Sequence, residues 1–109
     1  ALFEAKEGSV SRICEDRALS CEELANELKN INKKIIVCGD GAAVFAPFVE
    51  KAQNVYIQKG ELGFQNATGV ADAAYSMVKS GKTVSPDELN PAYLRLPQAE
   101  RELKLKHKD

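Results

Sequence analysis

Two glycines flank a carboxylate in the stretch VCGDGAA, and of all the residue groupings in this chain it is the one best suited to chemistry. The apolar run Ile35, Ile36, Val37 and Cys38 stops abruptly at Gly39, Asp40 and Gly41. That pattern predicts a strand buried on both faces, followed by a turn into a helix. Ligands of open α/β sheets gather where strands end and helices begin, because backbone amides there face a crevice. Two readings stay open for the stretch. Asp40 is either the N-cap of a tight strand-to-helix turn, or part of a half-site in which Gly39 and Gly41 admit a phosphate or nucleoside. In the second reading Asp40 accepts from a ribose hydroxyl or holds a hydrated metal ion. G-D-G alone is neither a dinucleotide fingerprint nor a P-loop.

The remaining candidates are sparser. Lys59 and Glu61 stand among Gly60 and Gly63 in YIQKGELG, a plain connecting loop or a ligand-contacting one. Cys14, Cys21 and Cys38 lack the close pairing of zinc ligands and read as reduced thiols used as small apolar residues. His107 is the single histidine and lies in a Lys-rich tail, where a solvated residue is expected rather than a catalytic or metal-binding one. The tail from Glu100 to Asp109 mixes both signs of charge, which suits a solvated helix better than a tRNA-binding patch. No Ser, Cys or Lys has a recognisable base partner, so no nucleophile and base pair is assembled.

Composition narrows the classes. The chain has 109 residues, enough for one core covering roughly 60–68% of the unfolded surface. Apolar residues at 44% and charged residues at 28% are ordinary for a globular chain. A net charge of −1 argues against a domain whose main partner is nucleic acid, because phosphate binding requires a basic excess on one face. No apolar run approaches the roughly 18 residues of a membrane span and no signal-peptide pattern opens the chain, so the cytoplasm is the expected location. The opening Ala1, already within an alternating ALFEA, leads us to expect a fragment of a longer protein.

The elements that must position these residues follow in order. ALFEAKEGSVSRICED predicts a hairpin turning at Glu7 and Gly8. Ser20 with Glu23 forms a capping box that starts a helix from Cys21 to about Asn30, with Cys21, Leu24, Ala25, Leu28 and Ile31 on one stripe. After the glycines a helix is expected over 42–52, kinked or started by Pro47. NVYIQ reads as a short strand, and 66–80 as a helix with apolar Ala67, Val70, Ala71, Ala74, Met77 and Val78, ended by Gly81. Ser85, Pro86 and Glu88 predict one short helical turn through Leu89. Pro91 then forces an extended run over 92–96, with one of Tyr93 and Leu94 turned into the core and the other toward a cleft or partner. The fold class expected is mixed α/β, a central mixed sheet with flanking helices.

The ending SPDELNPAYLRLPQAERE, preceded by an alanine-rich helix and by a strand ending in GDGA, resembles the C-terminal half of the TsaB (YeaZ) family, often labelled glycoprotease-like. Pro91, Tyr93, Leu94 and Arg95 carry the diagnostic part, and Gly39, Asp40 and Gly41 are a softer match. The resemblance implies a ribonuclease-H-like, actin-like ATPase (ASKHA) lobe, here incomplete. It also implies a non-catalytic subunit that supports TsaD and TsaE in attaching a threonylcarbamoyl group to tRNA adenosine. In full-length relatives, ATP or ADP is the implied nucleotide, and tRNA is an indirect partner. The family's N-terminal lobe and the strand before the position of Ala1 are not within this sequence. The fragment is therefore expected to self-associate through an exposed strand edge or by exchanging elements between copies. Two other readings stand beside this one: a nucleotide-binding ATPase lobe, and a peptidase, for which no residue here speaks.

Overall fold

A computed structural model describes residues 1–106; His107, Lys108 and Asp109, and the expectation of a solvated histidine, lie outside it. The chain is mixed α/β with two separate two-stranded sheets and helices. It divides into two compact units, one formed by residues 1–19 with 89–106 and the other by residues 20–88. No helix among the described residues is long and apolar enough to cross a membrane.

In the first unit, strands β1 (Phe3–Lys6) and β2 (Ser9–Arg12) pair antiparallel with Lys6 opposite Ser9. Glu7 (φ 50°) and Gly8 (φ 80°) both take positive φ, the requirement of a two-residue turn whose twist matches the strands. Phe3 lies directly across from Arg12, whose guanidinium carbon sits 4.8 Å from the ring centroid and whose Nη1 also bonds Asp16 at 2.7 Å. A cross-strand pair and an ion pair thus share one arginine. The chain returns to this unit at Leu89, and its last described element is helix α4 (Gln98–Lys106), exposed throughout as the mixed charges of its residues led us to expect.

The second unit begins as its sequence predicts. Ser20 Oγ accepts from the Glu23 amide, and the Glu23 carboxylate accepts from the Ser20 amide, which starts α1 (Cys21–Leu28). Ala25 and Leu28 on the apolar stripe are buried, and the helix packs on a 3₁₀ turn at Ala46–Val49. Strand β3 (Ile35–Val37) pairs in parallel with β4 (Val55–Ile57), Ile35 opposite Val55. Asn54 fixes that register: its carbonyl accepts from Ile35 N at 2.8 Å and its Nδ2 donates to the carbonyls of Ile31 and Lys33 at 2.9 and 3.0 Å.

Between these strands, α2 (Ala42–Phe45) passes into the 3₁₀ turn where Pro47 has no N–H to continue the α-helical ladder. The helix expected over 42–52 is shortened accordingly. Ala42, Phe45 and Val49 from this crossover join Ala25 and Leu28 as the buried apolar residues. The expectation that β3 is buried on both faces is corrected: Ile36 is 59% exposed, because the elements of the unit cover only one face of a two-stranded sheet. Among the described residues the strands form two separate two-stranded sheets instead of the central sheet anticipated from the element order, because the hairpin pairs only with itself and the parallel pair gains no third strand.

Helix α3 (Ala67–Lys79) is capped at both ends. Asn66 Oδ1 accepts from Gly69 N at 2.8 Å; at the other end Lys82 N donates to Met77 O and Gly81 N to Val78 O, with Gly81 at φ 71°. None of its residues is buried. Ser85 and Glu88 close a single turn that stops at Glu88: the Glu88 amide donates to Ser85 O, while Ser85 N and Oγ both donate to the Glu88 carboxylate at 3.0 Å.

Three surface carboxylates are held below their ordinary range by these contacts: Glu23 and Glu88 chiefly by backbone amide donation from Ser20 and Ser85, Asp16 by its hydrogen bond from Arg12. A depressed folded-state pKa contributes stability that is complete above the unfolded value and disappears as pH falls through the folded one. Thermal midpoints should therefore be level above the usual glutamate value of 4.5 and fall below it. Glu23→Gln should flatten part of that fall, as followed by circular dichroism across an acid series; an unchanged profile would show that the capping box contributes nothing to acid sensitivity.

Candidate cleft at the ends of the parallel strands

Within the 20–88 unit, the C-terminal ends of β3 and β4 open into one cleft of about 720 Å³. Gly39 and Asp40 follow β3, and Gln58, Lys59 and Gly60 follow β4, so both strand ends contribute to its rim. Ala42, Ala46 and Val49 from the crossover, Val55 and Ile57 from β4, and Phe64 form an apolar wall. The place where parallel strands end is where a crevice is expected in α/β architecture.

The two rims are joined by backbone. Gly39 N donates to Gly63 O at 2.6 Å and Gln58 N to Val37 O at 2.8 Å, which extends the β3–β4 pairing past the strands. Gly39 has φ 101°, a conformation L side chains rarely adopt, so the turn out of β3 needs glycine. Gly63 has a different reason: a Cβ there would stand 2.7 Å from the Gln58 carbonyl oxygen. Gly41 has neither constraint, with φ −78° and open space around it.

Asp40 is not an N-cap. The cap of α2 is Gly41, no side chain caps that helix, and the turn is closed by Ala42 N donating to Gly39 O at 3.0 Å. Asp40 is exposed on the cleft rim, together with Lys59 across the opening and Glu50 at the crossover. The sequence brings out Gly39, Asp40 and Gly41, and leaves the loop with Lys59, Gly60, Glu61 and Gly63 as either a plain connection or a ligand-contacting one. The pair Gly60 and Gly63 was the available signal that this loop closes tightly against another backbone. Of the loop's two charged candidates, Lys59 lines the cleft, whereas Glu61 opens the 3₁₀ turn at Glu61–Gly63.

Pro91, Tyr93, Leu94 and Arg95, on which the resemblance rests, belong to the other unit and are not among the residues lining this cleft. Tyr93 is 85% exposed and Leu94 50%, so neither enters a core, contrary to the expectation for this segment. Residues 89–96 contain no helix or strand to present an alternating face to an interior. Pro91 and Arg95 are exposed as well. The thiols of Cys14, Cys21 and Cys38 are free, and Cys14 Sγ accepts from Leu2 N at 3.2 Å. Among the described residues no group of three or more His, Cys, Asp or Glu is placed to hold a metal ion.

No protein-family model, curated protein or solved structure matches the chain.

Gly63→Ala should cost about 2 kcal/mol in urea denaturation, because the added methyl must displace backbone and strain the Gly39–Gly63 bond. Gly41→Ala should stay within about 0.5 kcal/mol of the parent chain. Equal effects of the two substitutions would remove the rim closure as a structural constraint.

Proposed function

We propose that the chain is the C-terminal lobe of a TsaB-like protein, a non-catalytic subunit that works with TsaD and TsaE in threonylcarbamoylation of tRNA adenosine in the cytoplasm. In this reading its fold is the C-terminal part of an actin-like, ribonuclease-H-like lobe. The observation that carries the proposal is the openness of the ending that resembles the family. Leu89, and Tyr93, Leu94 and Leu96 between Pro91 and Pro97, leave between 42% and 85% of their surface in solvent. An apolar, proline-stiffened run without a role in its own core suits contact with another protein better than catalysis.

The test is modification of tRNA reconstituted from the full-length protein and its TsaD and TsaE homologues. Tyr93→Ala with Leu94→Ala should lower the yield at least about tenfold through weakened subunit contact. Being exposed, the pair should leave folding stability within about 0.5 kcal/mol. Modification that proceeds equally well without the protein would overturn the proposal.

A second reading is favoured by the cleft: a site for ATP or ADP at Gly39, Asp40 and Gly41, where the strand ends meet the crossover. Calorimetric titration of the full-length protein with ADP should then give a binding isotherm that Asp40→Ala weakens. Binding that is unchanged by the substitution would remove Asp40 from the site.

A further inference from the structure

Asp40 and Gly41 form the single Asp–Gly pair of the chain, and no Asn–Gly pair accompanies it. The fold leaves this pair unguarded. Ala42 N donates to Gly39 O at 3.0 Å, which makes Asp40 and Gly41 the two central residues of a β-turn, and Gly41 at φ −78° and ψ −8° fits the third position of the type I form. The amide between two central residues takes no part in closing such a turn, so Gly41 N–H belongs to neither the β3 ladder nor α2. Among the described residues the exposed Asp40 carboxylate has no hydrogen-bond or ion-pair partner, and the space around Gly41 is open.

We propose that Asp40–Gly41 is a site of spontaneous aspartate isomerisation, and that the rearranged backbone opens the rim of the cleft. The Gly41 nitrogen attacks Cγ of the protonated Asp40 carboxyl; a C–N bond forms, and the carboxyl OH leaves with the amide proton as water, closing a succinimide ring. Glycine favours this step because no Cβ crowds the attacking nitrogen. Water then opens the ring. Attack at Cγ restores aspartate, whereas attack at the main-chain carbonyl carbon breaks its bond to Gly41 N and frees it as a carboxylate. The chain then runs through Cβ and Cγ and is one backbone atom longer, with the water released in the first step taken up again in the second. The extra atom falls inside the turn that Ala42 N and Gly39 O close, next to the Gly39 N bond to Gly63 O at 2.6 Å. Both bonds depend on the backbone of Gly39 at φ 101°, so isomerisation releases the β3 rim from the Gly63 loop. This chemistry needs neither a tRNA-modification partner nor a bound nucleotide, and so stands apart from both functional readings.

The experiment is incubation of the folded chain in water enriched in heavy oxygen, followed by trypsin digestion in ordinary water and mass spectrometry. Cleavage after Lys34 and Lys51 yields a peptide of residues 35–51 in which Asp40 is the one Asp or Asn, so heavy oxygen located there by fragmentation reports ring opening at this pair. Label should accumulate at Asp40 ahead of Asp16, Asp72 and Asp87, which precede Arg17, Ala73 and Glu88. Gly41→Ala, which the open space accommodates, should slow labelling at least about tenfold. In the isomerised fraction, separated by chromatography, the Gly39 amide should exchange its hydrogen at least about tenfold faster than in the parent chain. A folded chain that gains no label while the urea-unfolded chain does overturns the proposal, because the turn then protects the pair. Equal labelling of the parent and Gly41→Ala overturns it too, as does an isomerised fraction whose Gly39 amide exchanges at the parent rate.

Discussion

The 20–88 unit depends on the register of a parallel pair only three residues long. Parallel strands cannot be joined by a tight turn, so the chain between them must cross over, and the crossover brings α2 and its 3₁₀ turn against α1. With so few ladder bonds the pairing needs help from outside it. Asn54 provides this by gripping the α1–β3 loop with its side chain while its carbonyl takes the first strand amide. Gly39 and Gly63 provide it at the other end. Both the small core and the cleft exist because the strands are clamped at their two ends.

Local chemistry was legible in the sequence. The Ser20 and Glu23 box, the Glu7–Gly8 turn, the Asn66 start and Gly81 stop of α3, and the Pro47 interruption all depend on residues within a few positions of one another. What was not legible depends on neighbours far along the chain. An apolar run such as Ile35–Val37 predicts burial only if the sheet is wide enough to be covered on both sides; with one partner strand, Ile36 faces solvent. Tyr93 was misjudged similarly, since an aromatic between prolines implies a partner surface without saying whether the chain itself supplies it. The candidate site was half visible: G-D-G located one rim, whereas the Lys59–Gly63 loop read equally as a plain connection, because its close approach to the Gln58 carbonyl is a backbone contact that residue spacing does not encode.

The two units carry different kinds of surface. The first ends in an open apolar segment and a solvated helix; the second has a rim of backbone and charge around an apolar wall. Recognition by the first would rely on buried side-chain area, with affinity limited by the ordering of an irregular segment. The second combines a shaped concavity with polar groups at its edge, the usual make-up of a pocket that orients what it holds.

Helix α3 is closed at its start by Asn66 and at its end by the paired bonds from Gly81 and Lys82. At 13 residues an unpacked helix is ordinarily marginal in water, because nucleation costs more than one turn returns. Closed ends offset part of that cost, so the helix can persist before it touches anything. A helix held at both ends in this way would meet a surface with part of its ordering already done, so less conformational entropy would remain to be lost on docking.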